Sequence, residues 1–247
     1  MNMKKILFLM LGAALFLASC QKIDNWDAPN ARLHGNVVDS YTGENLMMDQ
    51  NDWQIRIIDR TWEQMNPGTV AQYQTLAVEK DGVYNNSKLF PGTYDMLPYD
   101  GPFWPVDTIK GVVLKNETQQ DFTVTPYLQV LDFTTRLDGT NLYLSCKVKA
   151  PIIEGLPNLY EIKPFLSLTT FCGASNYINI GDYTSKRISI NKSWSSYVTD
   201  GSNTTPVINI GPLPVKSGYT YYVRIGANVN ALSRRYNYSP IVKVDVP

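Results

Sequence analysis

Catalysis needs a nucleophile with its base, a pair of carboxylates or a metal ion, and the sequence offers little of these. His34 is the only histidine and falls in an extended run, where a surface position explains it better than a triad base. Four loop acids, Asp100, Asp107, Asp182 and Asp200, are placed as glycosidase carboxylates would be. Aspartate also favours turns, which accounts for all four. The sequence therefore predicts a protein that is not an enzyme.

Metal binding is not expected either, because the chain has no cluster of cysteine and histidine, and no cofactor motif is present. Cys146 lies in "NLYLSCKVKA" and Cys172 in "FLSLTTFC", and a period of two turns both thiols inward. In an exported protein these thiols could form a disulfide if their Cα atoms approach within about 7 Å. Two buried free thiols explain the pattern equally well, so both arrangements stay open.

Binding is better supported, first by the stretch "PYDGPFWPVD". It places Tyr99, Phe103 and Trp104 in a loop that three prolines restrict, which lowers the cost of ordering the rings. Flat aromatic faces suit the C–H surfaces of sugars, and an exposed group of them would be an interaction site. The alternative is that Phe103 and Trp104 close the open end of a sandwich or the joint between two domains.

Two further loops carry residue types that favour binding. "NKSWSSYVTDGSN" places Trp194 and Tyr197 among polar residues, so we expect these rings to be exposed; an edge strand with one inward ring is the alternative. "NALSRRYNYSP" places Arg234, Arg235 and Tyr236 in the last hairpin loop. Arginine and tyrosine are enriched in interface hot spots, although a solvated loop remains the simpler interpretation.

The first residues predict export and lipidation. Lys4 and Lys5 precede thirteen apolar residues, 6–18, which are too few for a bilayer core that needs about 20. The "LASC" that follows is similar to a bacterial lipobox, so cleavage would remove residues 1–19 and leave Cys20 acylated. Three acyl chains hold a protein on a membrane effectively permanently. The alternative is an ordinary signal peptide with an incidental cysteine.

The overall charge gives the chain no general attraction for a polyanion. The chain has 22 basic and 22 acidic residues, and cleavage removes Lys4 and Lys5 alone, so the processed net charge is −2. Export and this charge together argue against a nucleic-acid role.

The sequence predicts that β-strands hold the candidate binding loops in place. Tyr, Thr, Val and Ile are plentiful, long stripes with a 3.6-residue period are absent, and turn signals such as Asp81-Gly82 and Asp138-Gly139 recur between extended runs. The pattern predicts an all-β chain of two small sandwiches, 31–125 and 126–247. Residues 20–30 would be a tether, and the Thr125-Pro126 joint has no flexible linker.

Motifs in the first half carry a family resemblance. Gly35 in "LHGNVVDSYTGENL", then "EKDGVYNNSKLFPGTYDM", then "VVLKNETQQDFTV" resembles the carboxypeptidase regulatory-like domain, a transthyretin-like sandwich. In the second half, "LPVKSGYTYYVRIGANV" followed by "SPIVKVDVP" resembles the end of an immunoglobulin or fibronectin type III domain.

Together with "DNWDAP" and "RRYNYSPI", the two halves resemble the DUF3823 family of Bacteroidota outer-membrane lipoproteins. The resemblance implies a non-enzymatic accessory protein of glycan uptake, anchored in the outer membrane by Cys20 and exposed at the cell surface, with the periplasmic face as the open alternative. Its expected partners are the membrane, a glycan and a SusC/SusD-like transporter. A structural or adhesive module is the second hypothesis, and a glycoside hydrolase is the least favoured.

Overall fold

The computed structural model describes residues 27–50 and 52–247. The predicted signal peptide, residues 1–19, and the predicted lipidation site Cys20 lie outside these residues, as does most of the predicted tether. Among the described residues, no helix is both long and apolar enough to cross a membrane. The strands of the described residues form four sheets in two domains, and the helices there are short, so the predicted all-β class is confirmed.

Two sheets form the first domain. One has the strand order β4–β1–β7, with β8 also pairing with β1, and the other has the order β3–β2–β5–β6. Strand β1 is antiparallel to β4 but parallel to β7 and β8. The elements are β1 (Ala31–Asp39), β2 (Gln54–Asp59), α1 (Arg60–Met65), β3 (Gln74–Ala77), β4 (Val83–Leu89), β5 (Gly92–Tyr99), β6 (Ile109–Leu114), β7 (Glu117–Gln119) and β8 (Phe122–Val124).

Strand β1 shows why this domain is a sandwich. Every second residue from Ala31 to Asp39 is buried, so one face of the strand belongs to the core. Gly35 occupies one of these buried positions, and a Cβ there would lie 2.1 Å from the carbonyl oxygen of Gln120. The close approach of the chain beside β1 therefore requires glycine.

The second domain repeats the architecture with different connections. One sheet has the order β13–β10–β9, and the other has the order β12–β11–β14–β15, with β16 also pairing with β14. The elements are β9 (Gln129–Asp138), β10 (Asn141–Lys149), β11 (Leu159–Ser167), α2 (Gly181–Thr184), β12 (Ile188–Lys192), α3 (Trp194–Tyr197), β13 (Ile208–Pro214), β14 (Thr220–Val229), β15 (Tyr236–Tyr238) and β16 (Val242–Asp245).

The two inward thiols are not bridged. Cys146 lies on the core face of β10, whereas Cys172 packs with Phe165 and Tyr238 in a separate cluster on the outer face of the β11–β14–β15 sheet. A sheet therefore separates the two sulfurs, and of the two arrangements that the sequence left open the structure has two buried free thiols. Burial raises the pKa of each thiol to about 12, so both stay protonated and unreactive.

The two domains meet without a flexible linker. Around the joint, the Trp104 N–H donates to the Thr125 carbonyl at 2.8 Å and the Tyr127 N–H donates to the Pro102 carbonyl at 3.0 Å. Farther along, the Gln129 side-chain amide donates to the Asp39 carboxylate at 2.6 Å. The last two of these bonds tie the first residues of the second domain to a loop and a strand of the first.

A buried arginine fastens the domains at a second place. Arg224 projects from the outer face of β14 and is 1% exposed. Its Nη1 donates to the Met48 carbonyl at 2.8 Å, its Nη2 lies 3.7 Å from the Asp49 carboxylate, and its Cζ lies 3.6 Å from the centre of the Tyr238 ring. The Asp49 carboxylate also accepts the Ser175 N–H at 2.5 Å. Since a buried charge is costly to leave unpaired, this contact holds one domain arrangement.

Candidate functional site

A cavity of about 310 Å³ opens where the domains meet. The first domain supplies the end of β5 and the loop that follows it, and the second domain supplies the loop between β14 and β15. We call this cavity the interdomain groove; its lining residues are 97–103, 105–106, Tyr127 and 231–235. Its volume falls within the range of about 300–1,000 Å³ that small-molecule sites occupy.

Polar bonds across the boundary fix the two walls of the interdomain groove. Arg235 Nη1 lies 2.9 Å from the Asp52 carboxylate and Nη2 lies 3.4 Å from the Asp100 carboxylate. The Ser233 hydroxyl donates to the other oxygen of Asp100. One second-domain loop is thereby bonded to two first-domain acids, so the groove is pre-formed.

The Asp52 carboxyl, which pairs with Arg235, has a raised pKa. It is buried, and burial raises the pKa of its carboxyl from 3.8 to about 6, against the opposing effect of the Arg235 charge, with Asp49 adding to the rise. One of its oxygens has no hydrogen-bond partner among the described residues. The ion pair that holds Arg235 at the groove therefore includes an acid whose charge changes in the mildly acidic range.

Tyr99 is the half-buried aromatic residue that best fits a binding role. The Arg56 guanidinium carbon lies 3.3 Å from the centre of the Tyr99 ring and 4.3 Å from the centre of the Tyr73 ring. Arg56 therefore fixes the ring of Tyr99 by a cation–π contact while Tyr99 lines the groove. The sequence singled out Tyr99 as a binding candidate, and the structure places it at the groove.

Phe103 and Trp104 follow the alternative interpretation instead. Phe103 is only 4% exposed and meets Trp53 edge to face at 5.0 Å, so its ring belongs to the core of the first domain and floors the groove. Gly101 permits this packing, because a Cβ there would lie 1.9 Å from the Phe103 ring. Trp104 is half-buried, with its ring 5.3 Å from that of Tyr127 at the joint.

The expected exposure of Trp194 is wrong. The ring is 2% exposed and belongs to the core of the second domain, and its indole N–H donates to the Ser202 carbonyl at 2.9 Å. Tyr197 is half-buried against the same core. The short helix α3 turns both rings inward, because the end of this sandwich needs apolar side chains to close it. Neither residue lies at the groove.

The last hairpin loop is divided between two environments. Arg234 is exposed and lines the groove, and Arg235 lines it as well, whereas Tyr236 begins β15 outside it. The Tyr236 hydroxyl donates to the Glu161 carboxylate, and its ring meets Phe165 edge to face at 5.2 Å. Tyr236 therefore stabilises the outer face of the sheet.

The acids and the histidine do not form catalytic geometry. Asp100 lines the groove but is engaged by Arg235 and Ser233, and the other three loop acids, Asp107, Asp182 and Asp200, lie outside the groove. His34 lies on β1 beside Glu117, with Nε2 3.2 Å from its carboxylate. Across the described chain, no group of three or more metal-ligating side chains is assembled. The groove can bind a polar molecule, but it holds no visible catalytic pair.

A second hollow, of about 440 Å³, lies at the opposite end of β5. Trp62 on α1 is 39% exposed there, beside Met65, Phe90 and Asp59. Nothing in its spacing distinguished Trp62 from a core residue in the sequence.

Three residues that line the groove or hold its lining side chains in place carry no signal in the sequence. Asp52, Arg56 and Ser233 stand in stretches with no motif, and their partners lie 183, 43 and 133 positions away along the chain. Arg224 did leave a signal, since a charge inside the apolar strand "YTYYVRIGANV" must be paired when that strand is buried.

Comparison with known proteins identifies both domains. Residues 31–125 match the family described as the N-terminal domain of a protein of unknown function, DUF3823, and residues 128–243 match the domain of unknown function DUF3823_C. Among functionally curated proteins, none matches the sequence.

Solved structures share the fold over their whole length. A Bacteroides uniformis protein proposed to bind carbohydrate has 25% identity and a TM-score of 0.68, and the match covers 88% of this chain and 99% of that one. DUF3823 family proteins from Bacteroides uniformis (21% identity, TM-score 0.70) and Parabacteroides merdae (20% identity, TM-score 0.67) each match over 89% of this chain and 100% of their own. These two show the fold alone.

Proposed function

The chain belongs to the DUF3823 family, and on that premise we propose that it is a non-enzymatic carbohydrate-binding protein whose site is the interdomain groove. The observation that carries the proposal is Tyr99, fixed by Arg56 in a cavity that also holds Asp100 and Ser233. A sugar requires this combination, because its C–H faces are apolar and its hydroxyls are polar. Aromatic walls with a few placed polar groups are typical of small-molecule sites.

The fixed domain arrangement supports the proposal energetically. Arg235 and Arg224 hold the two domains at separate points, so the groove exists before any ligand arrives. Pre-formed sites lose less conformational entropy on binding, which favours affinity for a flexible, hydrated ligand. The Bacteroides uniformis structure is consistent with this function, since that protein is itself proposed to bind carbohydrate.

The site would work at a membrane. The lipobox-like "LASC" supports a lipid anchor on Cys20, and family resemblance supports the outer membrane and the cell surface. An anchored protein raises the local concentration of a glycan beside a SusC/SusD-like transporter, so uptake gains by mass action without catalysis.

Docking on such a transporter is a second role, favoured by Leu232. This residue is 91% exposed at the rim of the groove, so a partner that covers the groove would bury its apolar side chain. A photo-cross-linking residue at position 232 should capture a transporter component in cells, and one at the exposed position 180 should not. Capture at neither position, or equally at both, would contradict this role.

The experiment that tests the binding function is affinity electrophoresis and calorimetry of the chain without its first 20 residues, against neutral and acidic polysaccharides. We expect at least one glycan to bind, and Tyr99→Ala to weaken it by about tenfold or more, since one stacked ring contributes about 1–2 kcal/mol. Tyr219→Ala, at an exposed tyrosine outside the groove, is the matched control. Binding by no glycan, or equal binding by the two variants, would refute the function.

A further inference from the structure

Arg234 is an exposed guanidinium held in place at the groove. Its Cζ lies 4.2 Å from the centre of the Tyr160 ring, and its Nε donates to the Asn230 side-chain oxygen at 3.0 Å. These two contacts use one face of the guanidinium and one nitrogen. Both Nη groups therefore remain to meet a ligand.

The positive charge of Arg234 at the groove is not paired with an acid among the described residues. Arg235 is paired with Asp52 and Asp100, so its charge is satisfied within the protein. Arg234 makes no ion pair with any acid in the described part of the chain. The groove therefore offers one positive charge for which the fold has supplied no partner.

The backbone at Arg234 is also held in an uncommon conformation. Its φ is 49°, in the left-handed region that non-glycine residues seldom adopt. The buried Asn228 side chain donates to the Arg234 carbonyl at 2.8 Å, and the Arg234 N–H donates to the Ala231 carbonyl at 3.2 Å. A conformation that costs energy persists because its surroundings impose it, and such sites concentrate where ligands bind.

From this geometry we infer that the glycan bound in the groove is acidic, with a uronic acid carboxylate received by the two Nη groups of Arg234. The inference rests on the proposed function, and it names the ligand class of the same site. A guanidinium presents a planar fork that matches a carboxylate with two parallel hydrogen bonds. The sugar ring then packs on Tyr99, and Asp100 and Ser233 receive its hydroxyls.

The experiment compares four polysaccharides on the same protein: a polyuronate, its fully methyl-esterified form, a sulfated glycan and a neutral glucan. We expect the polyuronate to bind at least about tenfold more tightly than its methyl ester, because esterification removes the charge but keeps the ring. Arg234→Gln should remove this preference, so that the polyuronate and its ester bind this variant with similar affinity, and Arg234→Lys should restore only part of it.

Arg136→Gln is the matched control, since Arg136 also lies over a tyrosine ring, 4.4 Å from the centre of Tyr143, and lies outside the groove. Equal binding of the polyuronate and its ester, or tighter binding of the sulfated glycan, would overturn the uronate assignment and leave the binding function intact. An unchanged preference in Arg234→Gln would also overturn it. Failure of all four glycans to bind would remove the proposed function as well.

Discussion

The segments 98–106 and 193–203 contain similar kinds of residues, yet their aromatic side chains lie in opposite environments. Both set aromatic residues among polar residues and turn formers, yet Tyr99 lines a groove while Trp194 is 2% exposed in a core. The difference comes from what lies beside each loop. The first meets another domain that leaves a cavity, whereas the second closes its own sandwich. Local polarity therefore does not predict exposure, and the neighbouring surface decides it.

The largest effect that tests this comparison is on stability. Trp194→Ala should lower the free energy of unfolding by about 3–5 kcal/mol, because it empties a core position and removes the hydrogen bond to Ser202. Tyr99→Ala should lower it by less than about 1 kcal/mol, as expected for a half-exposed site. Guanidinium denaturation of both variants measures the contrast. Equal losses would break the comparison.

The next largest effect is expected from replacing the buried arginine between the domains. Arg224→Ala leaves Asp49 buried without its cation, and such a loss costs about 3 kcal/mol or more. Because Arg224 joins the domains, we expect one thermal transition for the native protein and two for the variant. Calorimetry measures this separation, with Arg187→Ala, at an exposed arginine, as the control. One unshifted transition would show that the domains are held by other contacts.

A smaller effect concerns the pH dependence of Asp52. Its pKa is raised from 3.8 to about 6 in the folded protein, so folding is favoured below pH about 4 and this contribution is lost as the pH rises through 6. The difference in unfolding free energy between the native protein and Asp52→Asn should change by about 2–3 kcal/mol between pH 4 and pH 7. Denaturation of both at several pH values measures it. A difference independent of pH would mean that Asp52 titrates normally.

Much of the fold could be predicted because strands leave local signals. Alternation placed Cys146 inward on β10, and Asp138-Gly139 turns the β9–β10 hairpin with Gly139 at a φ of 58°. Asp81-Gly82 between extended runs is also typical of a hairpin, and the turn forms, but β3 and β4 on either side of it join different sheets, so the hairpin does not. A turn signal reports the local bend, and the partners of its strands depend on distant residues.

The candidate site was harder to predict. Tyr99, Phe103, Arg234 and Arg235 were identified by residue type, and the structure brings them to one groove. Their grouping depends on contacts between residues more than a hundred positions apart, as in the Ser233–Asp100 bond, which no spacing in the sequence shows. The exposure of Trp194 was predicted wrongly for the same reason, because its polar neighbours in the sequence do not show the core that buries its ring.

The central claim is that the interdomain groove binds carbohydrate. Crystals of the protein soaked with an oligosaccharide of the tightest-binding glycan test it most directly. We expect a sugar ring to lie against Tyr99, with its acidic group within hydrogen-bond distance of Arg234. A sugar seated instead in the hollow beside Trp62, with the groove empty, would contradict the account.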